Sequence, residues 1–204
     1  MDEMEQEEQE MINYQFYHWG PLLCRFDVSK DSVGTLLKHG TKKESYGYTL
    51  AGVIEEEFKY PQDIFMDQMR PYLDAYSGLI TSYYNTKEKK KIKLSSTPWI
   101  NYMVAGEFNP PHTHPNGHFS CVLFLQIPEV LKKENEDYKG KSAGPGGLMF
   151  RYGERGYLSV TTREFFPKVG DFFIFPGDLM HWVFPFKSKG ERISLSANFK
   201  YEVE

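Results

Sequence analysis

The second half of the sequence is a series of short, β-rich runs separated by glycine and proline. There are seven of them, PWINYMVAG, FSCVLFLQIP, GGLMFRYG, YLSVTTREFFP, GDFFIFPG, HWVFPF and RISLSANFKYE. Strands this short, with turn residues at frequent intervals, are typical of an antiparallel barrel or jelly roll. We therefore predict a mainly β fold for this half of the chain.

The first half contains two segments with helical patterns. SKDSVGTLLKHG begins with a plausible N-cap at Ser29 and ends at Gly40, which predicts a short helix. Apolar residues recur every three or four positions in YPQDIFMDQMRPYLDAYSGLITSYYN, which predicts an amphipathic helix. Pro71 lies inside this pattern and predicts that the helix is bent or divided. We expect helices that flank a β-rich core.

The chain length of 204 residues suits one domain with a sizeable core. We expect a disordered acidic tail over residues 1–10 and a single domain over residues 11–204. Its jelly-roll core would span about residues 97–201, supported by helices and strands in residues 11–96. The basic segment TKEKKKIKL is expected to be solvated, and the lysine-rich segment EVLKKENEDYKGKSAGPGG is expected to be a flexible insertion between strands.

Charge and cysteine content limit the partners and the compartment. The net charge of −4 argues against a basic protein that neutralises many nucleic-acid phosphates. No apolar stretch approaches the roughly 20 residues that span a bilayer, so no membrane partner is expected. Cys24 and Cys121 are far apart and belong to no CxxC motif. We expect a soluble, cytoplasmic protein.

Three of the six histidines lie in the segment NPPHTHPNGHFSCVLFLQIP, just before a buried strand. His112 and His114 are two positions apart and His118 follows, while His181 begins another predicted strand. Strands distant in sequence become neighbours at the mouth of a jelly roll. Two imidazoles from one segment and a third from another could therefore bind one divalent metal and leave a face open, as in non-haem iron oxygenases.

A basic residue follows His181 on the next predicted strand. Arg192 and Ser194 alternate along ERISLSANF and therefore share one face of the strand. A guanidinium beside a hydroxyl is suited to holding a carboxylate by bidentate hydrogen bonds. That carboxylate could belong to a chelating co-substrate. Asn101, on an earlier strand, could also reach this co-substrate.

The order of these residues resembles the 2-oxoglutarate- and iron(II)-dependent oxygenase superfamily. The similarity rests on NPPHTHPNGHFSCVLFLQIP, GDFFIFPGDLMHWVFPF and RISLSANF, and it covers residues 97–201 well. These segments are most similar to small oxygenases of bacteria and phages that are distantly similar to prolyl hydroxylases. If a phage encodes the protein, the expected compartment is the host cytoplasm. The resemblance implies a double-stranded β-helix, which is a cupin-like jelly roll with flanking helices.

The resemblance also implies a role for each residue. His112 matches the histidine of the family's His-x-Asp or His-x-Glu motif, and His181 matches the distal histidine. Arg192 matches the basic residue that pairs with the far carboxylate of 2-oxoglutarate, with Ser194 beside it. The implied activity is that of an Fe(II)- and 2-oxoglutarate-dependent dioxygenase, which also consumes O2 and hydroxylates an unidentified peptide or small molecule.

The sequence departs from the family pattern at His114, which stands where the family has a carboxylate. We predict a three-histidine iron site formed by His112, His114 and His181. Two alternatives stay open at this stage: His118 replaces one of the pair, or the site is incomplete and chloride or water takes the third position.

Other functions of a jelly roll are also compatible with these residues. One is a cupin-like module that binds a metabolite or is structural, without redox activity, and another is a virion or surface component. The primary substrate cannot be read from the sequence, although residues 40–60 and 129–146 are the expected specificity segments. A homodimer is possible. Five apolar residues are candidates to line or back the pocket: Leu123, Leu125, Phe173, Phe175 and Trp182.

Overall fold

The computed structural model describes residues 20–85 and 90–203, so the predicted acidic tail lies outside the described residues. The helices are α1 (Lys30–His39), α2 (Gln62–Tyr83) and α3 (Glu129–Glu136). The strands are β1 (Cys24–Asp27), β2 (Glu57–Lys59), β3 (Lys90–Leu94), β4 (Trp99–Met103), β5 (Asn109–His112), β6 (Phe119–Gln126), β7 (Leu148–Arg151), β8 (Thr162–Phe165), β9 (Asp171–Pro176), β10 (Met180–Val183) and β11 (Arg192–Val203).

The strands form two antiparallel sheets. The larger sheet has the order β1-β9-β6-β11-β4-β2, and β3 pairs with the far end of β11. The smaller sheet has the order β5-β10-β7-β8. Neighbours in each sheet are mostly distant in sequence, so the chain crosses repeatedly between the sheets, as a jelly roll requires. The predicted jelly-roll fold with flanking helices is confirmed.

The large sheet is buried on both faces, because successive side chains of a strand point to opposite sides. On β6, Leu123 and Leu125 join the core that the sheet forms with α1 and α2. Phe124 instead joins the core between the two sheets, together with Phe173 and Phe175 of β9. The predicted continuous apolar runs therefore reflect strands that are covered on both sides.

Helix α1 has the predicted ends: the Ser29 hydroxyl accepts a hydrogen bond from the Ser32 N–H, and the Gly40 N–H donates to the Leu37 carbonyl. Helix α2 is continuous, so of the two predicted outcomes at Pro71, a bend or a division, the division is wrong. Pro71 is exposed, whereas Phe65 and Leu73 are buried. Packing of the buried face on the large sheet outweighs the hydrogen bond that proline removes from the solvent side.

Two segments that we predicted to be solvated or flexible contain regular structure. Residues 90–94 of the basic segment form β3, which is held by its pairing with β11. The lysine-rich insertion begins with α3, whose Leu131 is fully buried. The Asn135 amide donates to the carbonyls of Ala143 and Pro145, which closes the rest of the loop onto the helix.

Each of the seven predicted runs contains a strand, but β5 was not predicted. Its two prolines, Pro110 and Pro111, argue against a strand on sequence grounds. β5 lies at the edge of the smaller sheet, where a missing N–H is tolerated. None of the described helices is both long and apolar enough to cross a membrane.

Candidate metal centre

Three imidazoles meet where β5 and β10 pair. His112 and His181 are directly opposite each other in this antiparallel pair, with ring centroids 4.2 Å apart. His114 follows β5, and its Nε2 lies 3.3 Å from Nε2 of His181. One ring nitrogen from each of the three residues can be chosen such that all lie within 4.8 Å of one another. The structure therefore brings together the three predicted metal ligands.

Backbone carbonyls fix the tautomers of two of these rings. Nδ1 of His112 lies 2.7 Å from the Pro110 carbonyl, and Nδ1 of His181 lies 2.9 Å from the Leu179 carbonyl. A carbonyl oxygen only accepts hydrogen bonds, so each Nδ1 carries the proton and donates it. Each Nε2 therefore keeps its lone pair, which is the atom that a metal ligand must offer.

Burial keeps the three rings neutral. Desolvation lowers the pKa of His112, and it lowers the pKa of His114 to about 4, with a smaller contribution from the nearby His112. The pKa of His181 lies well below its usual range, mainly because the ring is buried and secondarily because it faces the other two histidines. Neutral imidazoles bind a cation without first releasing a proton.

Gly177 allows the loop that carries His114 to approach β10. The His114 N–H donates to the Gly177 carbonyl at 2.6 Å. A Cβ atom at position 177 would lie 2.3 Å from the Gly117 carbonyl oxygen and 2.8 Å from that of His114. No side chain fits there unless the loop moves. Gly177 belongs to the sequence PGD at residues 176–178, which by itself indicates only a turn. In the structure this turn positions a candidate ligand.

The alternative ligand His118 lies away from this cluster. Its Nδ1 accepts a hydrogen bond from the Tyr201 N–H at 2.9 Å, and its ring stacks on that tyrosine. His39 lies at the end of α1, where its Nδ1 donates to the Thr35 carbonyl. Both residues have structural contacts, and the three-histidine set remains as the candidate centre in the described part of the chain.

Arg192 lines the same cavity as the three histidines and is almost completely buried. Its guanidinium lies 4.6 Å from the centre of the Phe124 ring and donates to the Met103 sulfur. Its Nε has no hydrogen-bond acceptor, and no carboxylate of the described residues pairs with it. Desolvation lowers the pKa of Arg192 to about 9, so the group is still a cation at neutral pH. A buried cation without a counter-ion is suited to an anionic ligand.

Ser194 shares the inward face of β11 with Arg192, as predicted from their spacing. The Asn101 side-chain amide donates to the Ser194 oxygen at 3.3 Å. In that contact the Ser194 oxygen accepts, so its O–H can still donate to a carboxylate. Asn101 also lines the cavity, and its own Oδ1 has no partner among the described residues.

Glu57 is a buried carboxyl group in this cavity that we did not predict. It belongs to the run of three glutamates that begins at Glu55, and only the pairing of β2 with β4 shows that its side chain points inward. Desolvation, with a smaller contribution from Glu107, raises the pKa of Glu57 to about 7. The cavity thus contains a second titratable group besides the histidines.

Among the five apolar candidates, Phe175 lines the cavity. Phe173 lies deeper between the sheets, and Leu123 and Leu125 face the helices. Trp182 is half-buried, contacts Phe184 and is absent from the cavity wall. Trp99, which was not among these candidates, lines the cavity with its ring 6.1 Å from that of His114. The register of the strands, which the sequence does not give, decides these positions.

The donor set fits a transition metal. Two imidazole nitrogens that bind one ion at about 2.1 Å are about 3.0–3.4 Å apart at octahedral or tetrahedral angles. The 3.3 Å between Nε2 of His114 and Nε2 of His181 is within this range. Three imidazoles suit iron, copper or zinc rather than magnesium or calcium. The uncompensated guanidinium in the same cavity fits an anionic co-ligand of that metal.

Comparisons with known proteins support this interpretation. A family model described as "Putative 2OG-Fe(II) oxygenase" matches residues 97–198, which is half of the chain. None of the curated proteins compared matches the sequence. The fold is similar to that of a Pseudomonas putida prolyl-4-hydroxylase, with a TM-score of 0.55 and 14% identity over 87% of this chain and 91% of that one.

A second solved structure, an oxidoreductase of the 2OG-Fe(II) oxygenase family from Burkholderia pseudomallei, matches less well. Its TM-score is 0.40, with 16% identity over 65% of this chain and 57% of that one. The first likeness is evidence for the fold, and the match to the family model is the evidence that bears on function.

Proposed function

Because this chain belongs to the 2OG-Fe(II) oxygenase family, we propose that His112, His114 and His181 hold its iron and that Arg192 and Ser194 hold its 2-oxoglutarate. Family membership makes the protein an oxidoreductase that uses Fe(II), 2-oxoglutarate and O2. When bound, the iron couples oxidative decarboxylation of 2-oxoglutarate to oxidation of a substrate C–H bond. The primary product is proposed to be a hydroxylated peptide or small molecule.

The observation that carries the proposal is the position of Arg192. It is a buried cation with no carboxylate partner among the described residues, and it lines one cavity together with all three histidines. A dicarboxylate that reaches from the metal to the guanidinium would neutralise that charge where burial makes the interaction strong. Ser194 would donate a second hydrogen bond to the same carboxylate.

The protein's own groups supply position and protonation state. The carbonyls of Pro110 and Leu179 hold two rings in the tautomer that presents Nε2 to the ion. Phe175, packed 4.7 Å from the His181 ring, excludes water from one side. The three neutral rings leave the charge of the ion uncompensated, so anionic co-ligands are favoured more than at a site with a carboxylate.

The experiment measures binding of Mn(II), as an oxygen-stable substitute for iron(II), and then of 2-oxoglutarate by calorimetry. We expect one metal ion per chain and 2-oxoglutarate binding that depends on it. His112→Ala and His181→Ala should each abolish both. His118→Ala is the matched control, because it removes an imidazole outside the cluster and should leave both affinities unchanged. If all three variants have the same affinities for Mn(II) and 2-oxoglutarate, the proposed metal site is wrong.

The family match favours this enzyme over a cupin-like module without redox activity.

We also propose a reducing compartment, because the described cysteines cannot pair. Cys24 and Cys121 lie on β1 and β6, which flank β9 on its two sides. Two strand spacings are about 9.6 Å, beyond the span of a disulfide. A homodimer stays a prediction.

A further inference from the structure

A groove of about 320 Å³ adjoins the histidine cluster and shares His112, His114 and Trp99 with the cavity that contains Arg192. We call it the serine–asparagine groove, after Ser95, Ser96 and Asn198 in its wall. Leu50 and Ala51 also line both the groove and the cavity. Because it begins at two candidate metal ligands, a molecule in the groove lies next to the reacting centre.

Three polar atoms of residues that line this groove are enclosed without a hydrogen-bond partner among the described residues. They are the hydroxyl oxygens of Ser95 and Ser96 and Oδ1 of Asn198. The Ser95 N–H donates to the Asn198 carbonyl at 2.8 Å, so the two segments that carry these atoms are directly joined. Buried polar atoms are usually satisfied, so a cluster of unsatisfied ones beside an active site indicates a ligand.

The groove differs in charge from the cavity behind it. The deeper cavity contains Arg192 and Glu57, whereas the groove is lined by no lysine, arginine, aspartate or glutamate of the described part of the chain. A charged ligand group would therefore lose its hydration there without gaining a counter-ion. Tyr46 and Trp99, with ring centroids 6.3 Å apart, give one side of the groove an aromatic surface.

The unsatisfied atoms require both a donor and an acceptor in the ligand. Asn198 Oδ1 only accepts, whereas the two serine hydroxyls can donate. A carboxylate would satisfy the hydroxyls alone, and an ammonium group would satisfy Oδ1 best. An amide offers an N–H and a carbonyl in one plane, and that plane can lie against an aromatic ring.

We propose that the serine–asparagine groove binds a neutral amide group of the primary substrate. The assignment of the groove as a substrate site rests on the proposed oxygenase function, because the substrate must bind next to the metal centre. Because the three polar atoms are enclosed, the side chains turn toward the groove on binding: Asn198 then accepts from the amide N–H, and Ser95 and Ser96 donate to the carbonyl. The amide comes either from a peptide segment or from a small amide compound.

The test uses the full chain with Trp19→Phe and Trp182→Phe, so that Trp99 is the single tryptophan and reports on the groove. The protein is first saturated with Mn(II) and 2-oxoglutarate, which keeps acidic probes from the deeper cavity. Three probes share one skeleton: N-acetylalanine N′-methylamide is neutral, N-acetylalanine is an anion, and alanine N-methylamide is a cation. The readout is the change in Trp99 fluorescence on titration.

We expect the neutral probe to bind at least about tenfold more tightly than either charged probe. The double variant Ser95→Ala/Ser96→Ala should weaken it about three- to tenfold, as the loss of one or two hydrogen bonds does. The affinities for Mn(II) and 2-oxoglutarate should not change. Ser188→Ala, a serine outside the groove, is the control and should leave probe binding unchanged.

A capped tri-alanine amide distinguishes the two sources. Tighter binding than the single-residue probe supports a peptide segment, and equal binding supports a small amide. Equal or tighter binding of a charged probe or of glucose, or binding unaffected by the serine variants, overturns the proposal. Failure of the proposed function is a separate result, because Mn(II) and 2-oxoglutarate would then not bind at the first step.

Discussion

His112 and His181 are cross-strand partners in the edge pair of the smaller sheet, 69 positions apart in the sequence and directly opposite in space. This pairing fixes the distance between two candidate ligands by backbone hydrogen bonds instead of by flexible loops. The third ligand, His114, is held separately through the carbonyl of Gly177. The centre is therefore preorganised by main-chain contacts.

Gly177 should be required for metal binding. In Gly177→Ala the new methyl group would collide with the carbonyls of His114 and Gly117, so the loop must move and take His114 with it. We expect the affinity for Mn(II), measured by calorimetry, to fall about 10- to 100-fold. The control is Gly78→Ala, on α2 with open space around the new methyl group. It should keep metal affinity and raise stability by up to about 1 kcal/mol.

Arg192→Met should separate co-substrate binding from stability. The variant removes the cation that would pair with 2-oxoglutarate, so we expect that affinity to fall about 100-fold while metal affinity is retained. The melting temperature should not decrease, because the guanidinium is buried without an ionic partner and methionine fills similar space. A large loss of thermal stability, with 2-oxoglutarate binding intact, would contradict the assigned role.

Glu57 should make stability decrease as the pH rises. Its pKa is raised from 4.5 to about 7 in the folded protein, so the native state favours the protonated form. Its contribution to folding is complete below about pH 4.5 and is lost as the pH rises through 7. The neutral variant Glu57→Gln should therefore be more stable than the wild type at pH 8, by about 3 kcal/mol, and similar at pH 4.5.

Urea unfolding at the two pH values measures this difference. The control is Glu56→Gln, because the neighbouring Glu56 is partly exposed and pairs with Lys42. It should show no such gain at high pH. If the difference in urea midpoint between Glu57→Gln and the wild type is the same at both pH values, the Glu57 carboxyl group is not buried in this way.

Trp99 should be the tryptophan that responds to 2-oxoglutarate. Its ring lies near His114 and lines the cavity, whereas Trp182, although adjacent to His181 in sequence, lies outside the cavity wall. Trp99→Phe should abolish the metal-dependent fluorescence change on adding 2-oxoglutarate, and Trp182→Phe should retain it. The reverse pattern would place the co-substrate elsewhere.

The sequence was sufficient to predict the jelly roll, because each covered strand is a short apolar run with turn residues on both sides. It was also sufficient to predict that Arg192 and Ser194 share one face of a strand, since alternate side chains of a strand point the same way. It could not predict β5, because Pro110 and Pro111 argue against a strand unless its edge position is known. Glu57 was not found because three adjacent glutamates suggest an exposed segment.

The most direct measurement is a crystal structure of the protein with Mn(II) and 2-oxoglutarate. We predict one ion within about 2.1 Å of Nε2 of His112, His114 and His181, with the far carboxylate of 2-oxoglutarate on the guanidinium of Arg192. An ion bound by other residues, a His114 ring turned away from the ion, or a 2-oxoglutarate that does not reach Arg192 would contradict this account.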